Sequence, residues 1–324
     1  MKLSRTQKEI LQNQLDNEKE IIERLKEEYQ EALEQIDAKI TSYQSQIGVL
    51  QQGDTSDPVI ASMIQSKAYQ KQYQQALRSQ ISGILDTLNG KQFDSINEYL
   101  TKCYESGYIG VMYDLQAQGI PLIMPIDQAA VVQAISTDSK LSKSLYESLG
   151  ENINDMKKKV VQEIARGIAS SLSYAEIARN IAGRSKAGMN NSIRIARTEG
   201  HRIQNTAAYN AQSKAKSKGA NVFKQWCATL DGRTRDTHRE LDGKIVNVDE
   251  PFRIGGKSAM FPGDFGDPSE DCNCRCTILQ KARWELDESE LETLKERAEY
   301  FGLDKAEDFE DYKEKYLKAQ ENNK

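Results

Sequence analysis

Nowhere in the chain do about 18 apolar residues run together, which excludes an ordinary membrane-spanning helix. The first residues, Met1, Lys2, Leu3, Ser4 and Arg5, lead into a charged segment rather than an apolar signal core, so synthesis and residence in the cytoplasm are expected. Histidine is scarce, with two in 324 residues, so His201 and His238 alone can supply imidazole chemistry. There are five cysteines, three of them crowded at Cys272, Cys274 and Cys276, with Cys227 and Cys103 elsewhere. That spacing argues against an even disulfide framework and favours reduced thiols or metal ligands. Also missing are a P-loop, a G-x-S-x-G elbow and an H-E-x-x-H helix, together with any convincing pair of catalytic carboxylates.

What remains is a polar chain, 29% charged with a mean hydropathy of -0.69, long enough for two or three domains. Residues 1–52 read as one long helix. Ile22, Leu25, Tyr29, Leu33, Ile36, Ile40, Tyr43, Ile47 and Leu50 recur at three- and four-residue steps, a coiled-coil seam with a stutter around Tyr29. Gly53, Asp54, Thr55, Ser56, Asp57 and Pro58 form a turn signal, and helix resumes to about Asn89, so an antiparallel hairpin is expected. Its seam can close within the chain or against a partner.

From 91 to 219 the pattern stays helical, with breaks expected at Gly119 to Pro121, at Pro125 and at Gly183, and with Ser173 placed to cap the next helix. The apolar, proline-bounded run 121–126 suits a buried connector or an exposed docking segment. After Gly219 the pattern turns to short strands at 222–229, 244–248 and 273–279, with a short helix at 234–241 closed by Gly243. Beyond 284 an acidic helix ends in ten residues expected to fray. The reading is a mainly α protein with a small α+β C-terminal module. Its parts are a helical hairpin or coiled-coil arm (1–90), a helical connector (91–159), the module (160–283) and an acidic tail (284–324).

The unusual residues concentrate between Trp226 and Cys276. In order, Arg197, Thr198 and Glu199 on a helix, Trp226, Asp231 with Arg233, Thr234 and Arg235, His238, Asp242 and Gly243, Pro262, Gly263 and Asp264, and Asn273, Cys274, Arg275 and Cys276 resemble the motifs of the phage Mu F-like head morphogenesis family. The resemblance spans about 160–282. It implies a minor capsid protein of a tailed phage, a low-copy virion component acting at the portal vertex or inside the procapsid. Implied partners are the portal, capsid or scaffolding proteins and packaged double-stranded DNA, with no membrane.

Residues 179–239 carry thirteen Lys or Arg against Glu199, Asp231 and Asp236, a basic zone in a chain of net charge -5. Phosphate contact through Arg194, Arg202, Lys214, Lys216 and Lys218 is one reading, and a solvated helix face is the other. His238, Cys272, Cys274 and Cys276 could bind a structural Zn²⁺, although three cysteines on alternate residues converge only where a strand ends or bulges. The competing reading is a metal-free thiol cluster with His238 bonded to a carboxylate. Asp231, Arg233 and Arg235 suit a clamped turn, and Arg197 to Glu199 a salt-bridge link to that turn. No catalytic residues are assigned. A non-enzymatic binding protein is expected, against the alternative of a metal-dependent enzyme acting on nucleic acid or a host protein.

Overall fold

A computed structural model describes residues 3–52, 67–136, 145–169, 174–284 and 288–321. The protein is mainly α with a small α+β module near its C-terminus. In chain order come α1 (Arg5–Gln52), α2 (Lys67–Ala117), α3 (Gln128–Ser136), α4 (Leu145–Ala169), α5 (Tyr174–Ser217), β1 (Ala220–Cys227), α6 (Asp236–Leu241), β2 (Ile245–Asn247), β3 (Phe252–Ile254), β4 (Lys257–Ala259), α7 (Pro268–Asp271), β5 (Thr277–Trp284), α8 (Glu288–Tyr300) and α9 (Phe309–Glu321). None of these helices is long and apolar enough to cross a membrane. The chain divides into two compact units, one of Met1–Ile21, Ile96–Leu145 and Arg194–Lys324, the other of Ile22–Ser95 and Tyr146–Ile193.

The second unit is a helical core. On α1, Leu25, Tyr29, Ala32, Ile36 and Ile40 are buried at steps of three and four, the stripe of an amphipathic helix. Leu77, Ile81, Leu85 and Leu88 on α2 cover that stripe, with Ile153, Met156, Val160 and Ile164 on α4 and Ile177 and Ile181 on α5. Lys91 pairs with Glu31 at 2.7 Å and Ser95 with Glu28, so α1 and α2 run antiparallel there. Between Leu25 and Ile40 the seam thus closes against the chain's own helices. Ala32 is buried beside the expected Leu33, which is half-buried and packs against the same cluster, because three helices surround α1 and widen its buried face. The side chains of Tyr43, Ile47 and Leu50, the turn at 53–58 and Ser173 lie outside the described residues.

In the first unit, α1 and α2 are again antiparallel, with Lys102 on Glu20 at 3.1 Å, Tyr113 on Glu9 at 2.6 Å and Thr6 on Asp114. Here α2 meets α5 closely. A Cβ on Gly107 would sit 2.3 Å from the Gln204 carbonyl oxygen, and one on Gly200 would sit 2.3 Å from the Tyr99 hydroxyl. The α2 helix ends where expected, with Gly119 at φ +88°, whereas α5 runs straight through Gly183. The run 121–126 is a buried connector. Leu122 and Met124 are interior, and Met124 N donates to Tyr316 Oη at 2.9 Å.

The C-terminal tail departs from expectation. Residues 315–321 belong to α9, whose Phe309, Tyr312, Tyr316 and Ala319 are buried, and Tyr113 packs on Phe309 and Tyr312 at 5.5 and 5.0 Å. Four apolar residues at helical spacing outweigh the acidic residues between them. The third strand also lies further along than read, at Thr277–Trp284, and a hairpin of β3 and β4 was not anticipated. Its two-residue turn is Gly255 and Gly256, both at positive φ, as a type I′ turn demands.

Candidate functional site

The site is built on the antiparallel sheet β2-β1-β5, in which Trp226 lies opposite Ile278 and Cys227 opposite Thr277. Trp226 is fully buried and packs edge-on against His238 at 5.6 Å and Phe252 at 5.2 Å. The chain leaves β1 through a clamped turn. Asp231 accepts two parallel bonds from Arg275 at 2.7 and 2.8 Å, and its Oδ1 also accepts from Arg233 N at 2.9 Å. The Arg275 guanidinium holds the Asp231 carboxyl far below the usual range. Arg235 donates to the Cys272 carbonyl at 2.6 Å, and α6 follows. Asp242 then accepts from Ala228 N at 2.9 Å, and Gly243, at φ +79°, returns the chain to pair with Trp226.

Helix α5 supports this module from below. Asn205 is buried, donating to the Cys276 carbonyl at 3.0 Å and accepting from Ile278 N at 2.9 Å, so it fixes where β5 begins. Thr198 Oγ1 accepts from Asn273 N at 3.0 Å, at the one described non-glycine residue with positive φ. Gly263 lies against Arg202, where an added Cβ would sit 3.2 Å from Arg202 Cα. Arg197 and Glu199 do not meet the turn at 231–235, as had been expected. Arg197 pairs with Glu18 at 2.7 Å, and Glu199 pairs with Arg202 at 2.8 Å, both inside the helical packing.

Three of the four expected metal ligands come together. His238, Cys274 and Cys276 are buried, with donor atoms within 4.8 Å of one another. His238 Nδ1 lies 3.3 Å from Cys276 Sγ and 3.6 Å from Cys274 Sγ. Cys272 stands apart, partly exposed, with its Sγ 4.0 Å from Arg194. Its separation has a local cause, since Cys272 caps α7 and Asn273 then turns left-handed at φ +54°, which breaks the extended alternation before Cys274. Cys276 is drawn well down by the bond from Cys274 and by His238, while Cys274, as the donor in a buried position, is pushed up.

Behind the imidazole stands Glu270, with Oε2 3.3 Å from His238 Nε2. Burial would raise the Glu270 pKa, but Lys257 at 3.0 Å and Thr237 at 3.0 Å outweigh it and hold the carboxyl ionised. Asp271 accepts from the backbone of Phe265, Gly266 and Asp267 and fixes the loop before α7. Sequence reasoning missed Glu270, Asp271 and Asn205. It also assigned nothing to His201, which is buried between Gln14 at 2.7 Å and Glu18 at 3.0 Å.

The basic zone is largely engaged by the protein itself. Arg202 is buried, its guanidinium committed to Glu199 and to the Ala134 carbonyl at 2.8 Å, which removes it from any phosphate-facing set. Lys214 donates to the Pro125 carbonyl at 3.0 Å and Lys216 pairs with Asp249. Arg194 and Lys218 are exposed.

Residues 156–279, which hold the turn clamp, the cluster of His238, Cys274 and Cys276, and Glu270, match the family model described as Phage Mu protein F like protein. Over those residues the chain is similar to the Phage Mu F-like family. It is 40% identical over 63% of its length to a protein of Enterococcus faecalis (strain ATCC 700802 / V583) named NAD(+)--arginine ADP-ribosyltransferase EFV. It is 35% identical over 56% of its length to the Minor head protein GP7 of Bacillus phage SPP1. The chain spans 42% of the first relative and 58% of the second. No solved structure matches it.

Proposed function

We propose that this Mu F-like protein is a structural component of a phage head, a minor capsid protein that works by binding other head components at the portal vertex or inside the procapsid. The carrying observation is its 35% identity to the SPP1 minor head protein over 56% of the chain. The geometry supports the same reading. Asp231, Asp242, Gly243 and Trp226, four of the residues that carry the family resemblance, are spent on a turn clamp, a backbone bond, a positive-φ return and a core.

Similarity to the named transferase does not by itself favour catalysis. Shares of 63% and 56% exceed one chain length together, so at least 19% of the chain is matched by both relatives. The chain also spans only 42% of the transferase relative, so more than half of that protein lies outside the similarity. DNA contact through Arg194, Lys214, Lys216 and Lys218 is a secondary role, and it would weaken steeply with salt.

Co-expression with the portal protein of the same phage, followed by size-exclusion chromatography with light scattering, tests the proposal. A complex of defined ratio is expected. Separate migration at low and moderate salt, combined with NAD-dependent labelling of arginine on a protein substrate, would overturn it in favour of the transferase reading.

A further inference from the structure

The geometry points to a tetrahedral Zn²⁺ site whose protein ligands are His238 Nδ1, Cys274 Sγ and Cys276 Sγ, with Glu270 as the carboxylate that orients the imidazole and a single water as the fourth ligand. Zinc bonds of about 2.3 Å to sulfur and 2.0–2.1 Å to nitrogen, set at tetrahedral angles, put sulfur and nitrogen ligands roughly 3.5 Å apart. The observed separations from Nδ1, 3.3 and 3.6 Å, bracket that edge. Two thiolates and an imidazole favour zinc over the hard cations.

Two further observations bear on the same point. His238 Nε2 is buried without an aligned hydrogen bond, yet it faces Glu270 Oε2 at 3.3 Å. A metal-binding histidine commonly gives its second ring N–H to such a carboxylate, and with Nδ1 on the metal the proton must sit on Nε2, toward Glu270. Lys257 and Thr237 hold that carboxylate in place. Beside His238, Cys274 and Cys276 lies a cavity of about 20 Å³, bordered by Asn273 and Arg275. That is room for one water. Cys272 is outside the ligand set.

The full-length protein, purified without chelator, should carry one zinc per chain by elemental mass spectrometry. Replacing the metal with Co²⁺ in the unmutated protein should give the intense visible bands of a tetrahedral centre and the near-ultraviolet absorption of two thiolate bonds. Cys274→Ser, Cys276→Ser and His238→Ala should lose the metal. Cys272→Ser and Cys103→Ser should retain it, and Glu270→Gln should bind it about 10- to 100-fold more weakly. Because the cobalt spectrum is read on the native chain, a misfolded variant cannot mask the answer. Metal-free protein that takes up no Co²⁺ would overturn the site, as would a three-thiolate spectrum or loss of metal in Cys272→Ser.

Discussion

The two compact units solve the problem of a stable interior in different ways. In the unit formed by Ile22–Ser95 and Tyr146–Ile193, the buried cluster from Tyr29 to Ile181 is almost wholly apolar, and among its described residues Glu163 is the single buried charged group. The other unit buries Glu18, Asp114, Glu199, His201, Arg202, Lys224, His238, Asp264, Glu270 and Asp271. Apolar burial is tolerant and insensitive to pH. Buried charge is costly unless each group keeps its partner, and it titrates. The first interior should therefore respond to lost volume, and the second to lost partners and to pH.

The most damaging single change should be in the charged interior. Arg202→Met strands Glu199 without its cation and the Ala134 carbonyl without its donor, and should cost about 3 to 5 kcal/mol in denaturant titration. Adding Glu199→Leu should restore most of that loss, because removing both partners is far less harmful than removing one. If the double variant is no better than the single, the pair is not what limits stability there. In the apolar unit, Ile81→Ala should cost about 3 kcal/mol through the cavity it leaves. That loss should be the same at pH 4 and pH 8, and a strong pH dependence would break the contrast between the units.

A smaller effect is expected from Glu18. Burial raises its pKa, but bonds from His201 and Arg197 prevail and hold it down at about 2, against an ordinary value of 4.5. The unfolded chain therefore binds the proton first as pH falls. The stabilisation is complete above about pH 4.5 and is lost between there and pH 2, worth about 2 kcal/mol once solvent screening is allowed for. Glu18→Gln should flatten stability across that interval, and an unchanged acid limb would show that other carboxylates carry it.

The same contrast explains what could be read in advance. Periodicity revealed α1, the antiparallel partner helix and the module of short strands, because apolar spacing decides those elements. It gave the wrong outcome for Gly183, where tertiary packing carries α5 through a residue of poor helix propensity, and for the tail, where acidic residues masked Phe309, Tyr312 and Tyr316. Crowding of cysteines marked the His238, Cys274 and Cys276 cluster, yet the left-handed Asn273 that sets Cys272 apart has no signal in spacing alone. Glu270 and Asp271 were invisible for a related reason. A carboxylate in a polar stretch reads as surface, and only its partners Lys257, Thr237 and the backbone of 265–267 make it interior.

Lys224 gives the smallest effect and the finest test of the charged interior. Its ammonium is fully buried on β1 with no hydrogen-bond partner among the described residues, lying 4.9 Å from the ring centre of Tyr209 and 5.4 Å from that of Phe252. The rings return part of the lost hydration through cation–π attraction, but burial still lowers its pKa to about 8 from 10.5. The folded protein therefore gives up this proton more readily than the unfolded chain does, so stability should rise as pH climbs from about 8 to 10.5. Lys224→Met keeps the length and removes the charge, and should leave stability at pH 7 unchanged or raise it by about 1 kcal/mol while abolishing that alkaline rise. A loss of more than 1 kcal/mol would mean that the two rings more than repay the desolvation, and that even the unpartnered charge of this unit is a net source of stability.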